Sequence, residues 1–126
     1  MKIQYCSDLH LEFSQNRIWL EKNPLIPVGE ILLIAGDTFY LGPEFNDLPF
    51  FDFVSNEFEF VYIIPGNHEY YSGFDSKIGL EIDFKSEIRK NVHLVNNTRI
   101  VHGDVDFFFQ RYGQKLINKH LRYLNQ

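Results

Sequence analysis

The residues able to do chemistry in this chain fall into three short clusters: Ser7-Asp8-Leu9-His10, Gly36-Asp37, and Gly66-Asn67-His68-Glu69. Each follows an apolar, strand-like run. Asp8 and His10 offer an oxygen and an imidazole nitrogen, a donor pair that suits Mn, Fe or Zn better than the purely oxygen-bound Mg or Ca. In an extended strand, side chains two apart share a face, so this pair is expected to point the same way and grip one ion. The two oxygens of one carboxylate let Asp37 bridge two cations about 3.5–4 Å apart, the geometry of two-metal hydrolysis. Asn67 adds an amide oxygen for a second ion, and His68, next in sequence, faces a substrate.

Each cluster also has an ordinary reading as a helix cap or a turn. The spacing separates the two readings. Asp8 and Asp37 are 29 positions apart, and Asp37 and Asn67 are 30 apart. A βαβ unit needs about that length. Residues at the carboxyl ends of successive parallel strands converge on one edge of the sheet, where open α/β folds place their ligands. Three clusters in phase therefore describe one site, a metal centre built for phosphate chemistry.

The elements that must position these clusters are legible as hydrophobic patterns. Lys2 to Ser7 reads as a first strand in which Ile3 and Tyr5 alternate with Lys2 and Gln4, with Cys6 packing. Ser14 to Asn23 reads as a short helix capped by Ser14 and stopped by Asn23-Pro24. Residues Ile31 to Ala35 are apolar throughout, as in a parallel strand covered on both faces. A helix is expected from Asp47 as cap, with Pro49 in its first turn and Phe50, Phe53, Val54 and Phe58 forming a core stripe. Phe60 to Ile64 is the third strand, and Gly66 lets the main chain approach a ligand. A helix starting at Asp83 or Ser86 and running through Arg89 is expected next. The sequence then resumes extended structure at His93-Leu94-Val95, with a hairpin of Arg99–Val101 and Val105–Phe109 around His102-Gly103-Asp104. Ile117, His120, Leu121 and Leu124 give the tail, residues 111–126, the periodicity of an amphipathic helix.

Composition bounds the partners. The chain has 126 residues, enough for one domain, and 44% hydrophobic residues with thirteen Phe, so it is globular rather than disordered. A net charge of -5 argues against a surface that holds nucleic acid through many phosphate contacts. Cys6 is the only cysteine, which excludes an internal disulfide or a thiolate zinc cluster and fits a reducing compartment. No apolar run approaches the ~18 residues of a membrane-spanning helix, and the N-terminus lacks a signal-peptide core. A cytoplasmic protein is expected.

The segments Ser7-Asp8-Leu9-His10, Ile34-Ala35-Gly36-Asp37 and Pro65-Gly66-Asn67-His68-Glu69 resemble the calcineurin-like metallophosphoesterase family. Weaker similarity in Asn91–Thr98 extends the resemblance to about residue 110. It implies the N-terminal part of an αββα sandwich: an α/β fold with a mostly parallel main sheet and flanking helices, spanning residues 1–110. It also implies two divalent ions (Mn, Fe or Zn), with Asp8 and His10 on the first, Asp37 bridging and Asn67 on the second. His68 is then the general acid. Such a site hydrolyses a small phosphomonoester or phosphodiester by in-line attack of a metal-bound hydroxide.

The chain departs from that family in its second half. The resemblance implies further ligands in a His-His pair and a Gly-His-X-His segment, and neither occurs here. A shortened form with reduced or no activity is therefore expected, its ions incompletely held. His93, His102 and His120 are expected to be structural. A sheet face short of cover leaves Phe107, Phe108 and Phe109 exposed, covered by the tail, or buried by a second copy or partner. The rival readings are a noncatalytic metal- or phosphate-binding module that needs a partner chain, and a metal-free carboxylate set of Asp8, Asp37 and Glu69.

Overall fold

The structure, a computed structural model, describes residues 1–42, 44–66, 69 and 82–110. Among the described residues, seven strands and two helices follow in the order β1 (Ile3–Cys6), α1 (Ser14–Lys22), β2 (Ile31–Ala35), α2 (Pro49–Glu57), β3 (Phe60–Ile64), β4 (Phe84–Arg89), β5 (Val92–Asn96), β6 (Thr98–His102) and β7 (Val105–Phe109). The tail helix expected in residues 111–126 lies outside the described residues.

Strands β1, β2, β3 and β5 run parallel, and β4 joins antiparallel at one edge, giving the order β1-β2-β3-β5-β4. This is the mixed α/β architecture, mostly parallel, that the strand pattern predicts. The apolar runs of β2 and β3 are central, and register decides which face each residue takes. Leu32, Ile34, Val61, Ile63, Val92 and Leu94 line one face and pack against Phe51 and Val54 of α2. Ile31, Tyr62 and Val95 line the other, where Phe107 and Phe109 of the β6–β7 hairpin cover them. The hairpin thus settles the aromatic triplet by alternation: Phe107 and Phe109 are buried, while Phe108 between them is 69% exposed.

Four details differ from the sequence expectations. Residues 84–89 form strand β4, not a helix, because Phe84, Ser86 and Ile88 alternate toward one face and the strand pairs with β5, and that tertiary pairing overrides local propensity. Phe13 and Leu48 occupy the helix N-cap positions in place of Ser14 and Asp47, and neither helix has a side-chain cap bond. Pro49 does open α2, where its missing N–H leaves no helix bond unmade. In β1 the alternation is inverted: Ile3 and Tyr5 are exposed, whereas Cys6 packs against the core.

Two contacts fix the sheet ends. Asn91 closes the C-terminus of α2, its amide donating to the carbonyls of Ser55 (2.9 Å) and Phe58 (2.8 Å) while its oxygen accepts from the Ser55 hydroxyl (2.6 Å). Arg89 ties β4 to the other end of that helix through Asp52 and the carbonyl of Asn46. His102, expected in a turn, ends β6 instead. Its Nε2 meets the Tyr62 hydroxyl at 2.5 Å, among Phe60 and Phe107. His93 stacks on Tyr62 within β5, so both histidines pack as expected.

Replacing Asn91 by Ala strips two helix-end carbonyls and a hydroxyl of their partner. We expect a loss of about 1–3 kcal/mol in urea unfolding with an unchanged m-value. Burial, reinforced by Lys85 and opposed by Glu87, lowers the His93 imidazole below its ordinary 6.5. The unfolded chain therefore binds that proton more tightly. The His93 contribution to stability is complete above 6.5 and declines as pH falls below it. Urea midpoints measured from about pH 8 down to about pH 5 should fall less steeply for His93→Gln than for the parent chain.

Candidate metal centre

The site lies where the parallel strands end. β1 stops at Cys6, β2 at Ala35 and β3 at Ile64, and the loops that follow meet at one edge of the sheet. The first two loops are laced by their backbones. Asp8 N–H donates to the Gly36 carbonyl (3.0 Å), His10 N–H to that of Asp37 (2.9 Å) and Leu11 N–H to that of Thr38 (2.7 Å).

This lacing brings Asp8, His10 and Asp37 together, with one ligand atom from each lying within 4.8 Å of the others. The mechanism of convergence differs from an extended strand end. Asp8 (φ 58°), His10 (φ 48°) and Asp37 (φ 56°) all occupy the left-handed region, and Gly36 has φ 87°. Such backbone is uncommon for a side-chain-bearing residue and clusters at functional sites. Three instances on three potential ligands are the local signature of this centre.

The donor chemistry fits a divalent transition metal. His10 Nδ1 contacts Glu12 Oε1 at 3.1 Å, and the Glu12 side chain is only 2% exposed. A carboxylate behind an imidazole fixes the ring and its tautomer, leaving the other nitrogen to ligate. That nitrogen, Nε2, sits 3.7 Å from Asp8 Oδ1. Asp8 is 61% exposed on its side chain, so the site opens to solvent.

The third loop contributes a support that the sequence reading did not assign. Glu69 is wholly buried, and its carboxylate accepts from Asp37 N–H (3.1 Å), Thr38 N–H (2.8 Å) and Gly66 N–H (2.9 Å). Its own carbonyl accepts from Leu41 N–H. Burial pushes the Glu69 carboxyl above its ordinary range, partly offset by the N–H groups it accepts from. The residue therefore belongs to the framework, which counts against the metal-free set in which it would act beside Asp8 and Asp37. Its only sequence signal was a carboxylate immediately after the Asn67-His68 pair. Asn67 and His68 themselves lie outside the described residues.

Gly66 makes room for Asp37. A Cβ on Gly66 would stand 2.4 Å from Asp37 Oδ1 and 2.7 Å from Asp37 N, and a Cβ on Gly36 would meet Gly66 Cα at 3.0 Å. The two glycines let the second and third loops close on each other, which seats the Asp37 carboxylate.

Gly66→Ala should displace that carboxylate and weaken Mn binding in calorimetric titration by at least about tenfold, the size of effect that displaced supporting groups have. Glu69→Gln leaves one oxygen where two accepted, and turns an amide NH₂ toward backbone N–H groups. It should cost about 1–3 kcal/mol in denaturant unfolding.

Among the described residues no helix is long and apolar enough to cross a membrane. No curated protein and no solved structure matches the chain. The family model described as calcineurin-like phosphoesterase matches residues 1–125, nearly the whole chain and the very loops that carry Asp8, His10 and Asp37. The chain belongs to the calcineurin-like phosphoesterase family.

Proposed function

We propose that this protein is a binuclear-metal phosphoesterase acting on a small phosphomonoester or phosphodiester. The observation that carries the reading is the grouping of Asp8, His10 and Asp37 within 4.8 Å, on left-handed backbone, at the carboxyl edge of a parallel sheet. When bound, a pair of divalent cations (Mn, Fe or Zn) would supply Lewis acidity and an activated water for attack on phosphorus. Asp8, His10, Asp37 and Asn67 would be the residues that hold them.

The chain's own residues then divide the remaining work. Glu12 orients the His10 ring so that Nε2 faces Asp8. Glu69 fixes the peptide of Asp37 and keeps its carboxylate turned toward the other two ligands. The exposed side of Asp8 is where the phosphate ester enters. His68, adjacent to Asn67, protonates the leaving oxygen as general acid.

Purified protein given Mn and 4-nitrophenyl phosphate, or the corresponding bis ester, should release nitrophenolate, and EDTA should stop release. Asp37→Asn should abolish turnover, and His68→Ala should lower kcat by about 10²–10⁴-fold while leaving metal content unchanged. Rates in both variants equal to the parent's would overturn the reading. One weakly bound ion with no turnover would instead assign a noncatalytic binding module.

A further inference from the structure

Helices α1 and α2 leave a cavity of about 240 Å³ between them, lined by residues of both and by Leu11 of the loop that carries Asp8 and His10. Its walls are apolar, built from Leu11, Leu20, Leu48, Phe50 and Phe53. Leu11 and Leu48 are buried, whereas Leu20, Phe50 and Phe53 pack against the core only in part. Protein interiors leave few voids larger than a water molecule, so a space of this size is a departure from ordinary packing. Concave, mostly apolar walls with a few polar groups are the usual form of a small-molecule site.

The polar group in these walls is a cation. Arg17 lines the cavity and is half-buried. Its Nη1 donates to the Leu11 carbonyl, and among the described residues its guanidinium has no carboxylate partner. Most of the donor fork is therefore left for another acceptor. Glu21, one turn further along α1, also lines the cavity, but it is exposed and forms no ion pair with Arg17. An acidic residue placed after its basic partner on a helix is the weaker order. The charge held against the apolar walls is thus positive, and a half-buried cation without a counter-charge is poorly compensated. A carboxylate matches a guanidinium fork through paired hydrogen bonds.

We propose that this cavity binds a small organic acid, its apolar body lying between α1 and α2 and its carboxylate accepting from Arg17. Size limits the ligand. A benzene ring fills a cavity of about 150 Å³, so 240 Å³ admits one ring with a short side chain. Phe50 and Phe53 offer aromatic faces to such a ring. A neutral body of the same shape leaves the guanidinium uncompensated, and a cationic one meets it with like charge. Asp8, His10 and Asp37 do not line the cavity, so the site is separate from the metal centre. Its occupant nonetheless touches Leu11, which follows His10 and whose N–H donates to the Thr38 carbonyl at 2.7 Å.

Titration of 3-phenylpropanoate into the nitrogen-15-labelled full chain, followed by NMR with EDTA present, tests this. The expected result is saturable shifts of the amides of Leu11, Arg17, Leu20, Phe50 and Phe53, with a dissociation constant below about 1 mM. 3-Phenylpropanamide, the same shape without the charge, should bind at least about tenfold more weakly. Arg17→Met keeps a stem of similar length without the charge; it should weaken the acid to the level of the amide and leave the amide unmoved. Leu20→Trp fills the cavity and should abolish binding of both, with unchanged circular dichroism. No saturation below about 10 mM overturns the proposal, as do shifts centred on other residues. Equal binding of acid and amide by the parent chain overturns it as well, a comparison that needs no variant to fold.

Discussion

The site depends on one buried carboxylate. Glu69 has no access to water, yet it accepts hydrogen bonds from Asp37, Thr38 and Gly66 N–H, so the loops after β2 and β3 are tied to a common point. Taking a carboxylate out of water is unfavourable by several kcal/mol unless partners replace the solvent, and here backbone N–H groups do so. The same bonds satisfy donors that the turn after β2 would otherwise leave unpaired. A loop that carries Asp37 at positive φ needs such a clamp, because nothing in its own conformational preference would hold it there.

The parallel sheet does the rest of the positioning. Strand ends in register place the three loops side by side, and the lacing of Asp8, His10 and Leu11 onto Gly36, Asp37 and Thr38 extends that register beyond the strands. The ligand-bearing segments therefore inherit the rigidity of a core packed on both faces, by α2 on one and by the β6–β7 hairpin on the other. Metal-binding geometry is most accurate when it is built on regular elements and then locked by surrounding hydrogen bonds. Glu12 behind His10 and Glu69 behind Asp37 are those locks.

Much of this was legible in the residues themselves. The bounds of β2 and β3 follow from unbroken apolar runs, and the grouping of Asp8, His10 and Asp37 follows from what stands where the strands end. Strand β4 was not legible because its charges mimic a helix face, and its alternation acquires meaning only beside β5. The helix N-caps escaped because Phe13 and Leu48 make no side-chain cap bond, so the usual polar signal sits one position away. The inversion of β1 is of the same kind: Ile3 and Tyr5 look like core until register with β2 shows which face is covered. Glu69 was visible as a residue but not as a clamp, since its role is defined by three N–H groups up to 32 positions away.

Helix α1 buries none of its residues fully: Leu20 packs partly against the core, and polar contacts add to it, with Asn16 donating to the carbonyls of Leu9 and His10 and Arg17 to that of Leu11. Segments held this way open at far lower free energy than the sheet beneath them. The two halves of the ligand set thus sit on unequal ground. His10 is held by its backbone bond to Asp37 and by the amide of Asn16, and Asp37 by the buried Glu69 as well, so a disturbance of α1 reaches the first of these loops before the second.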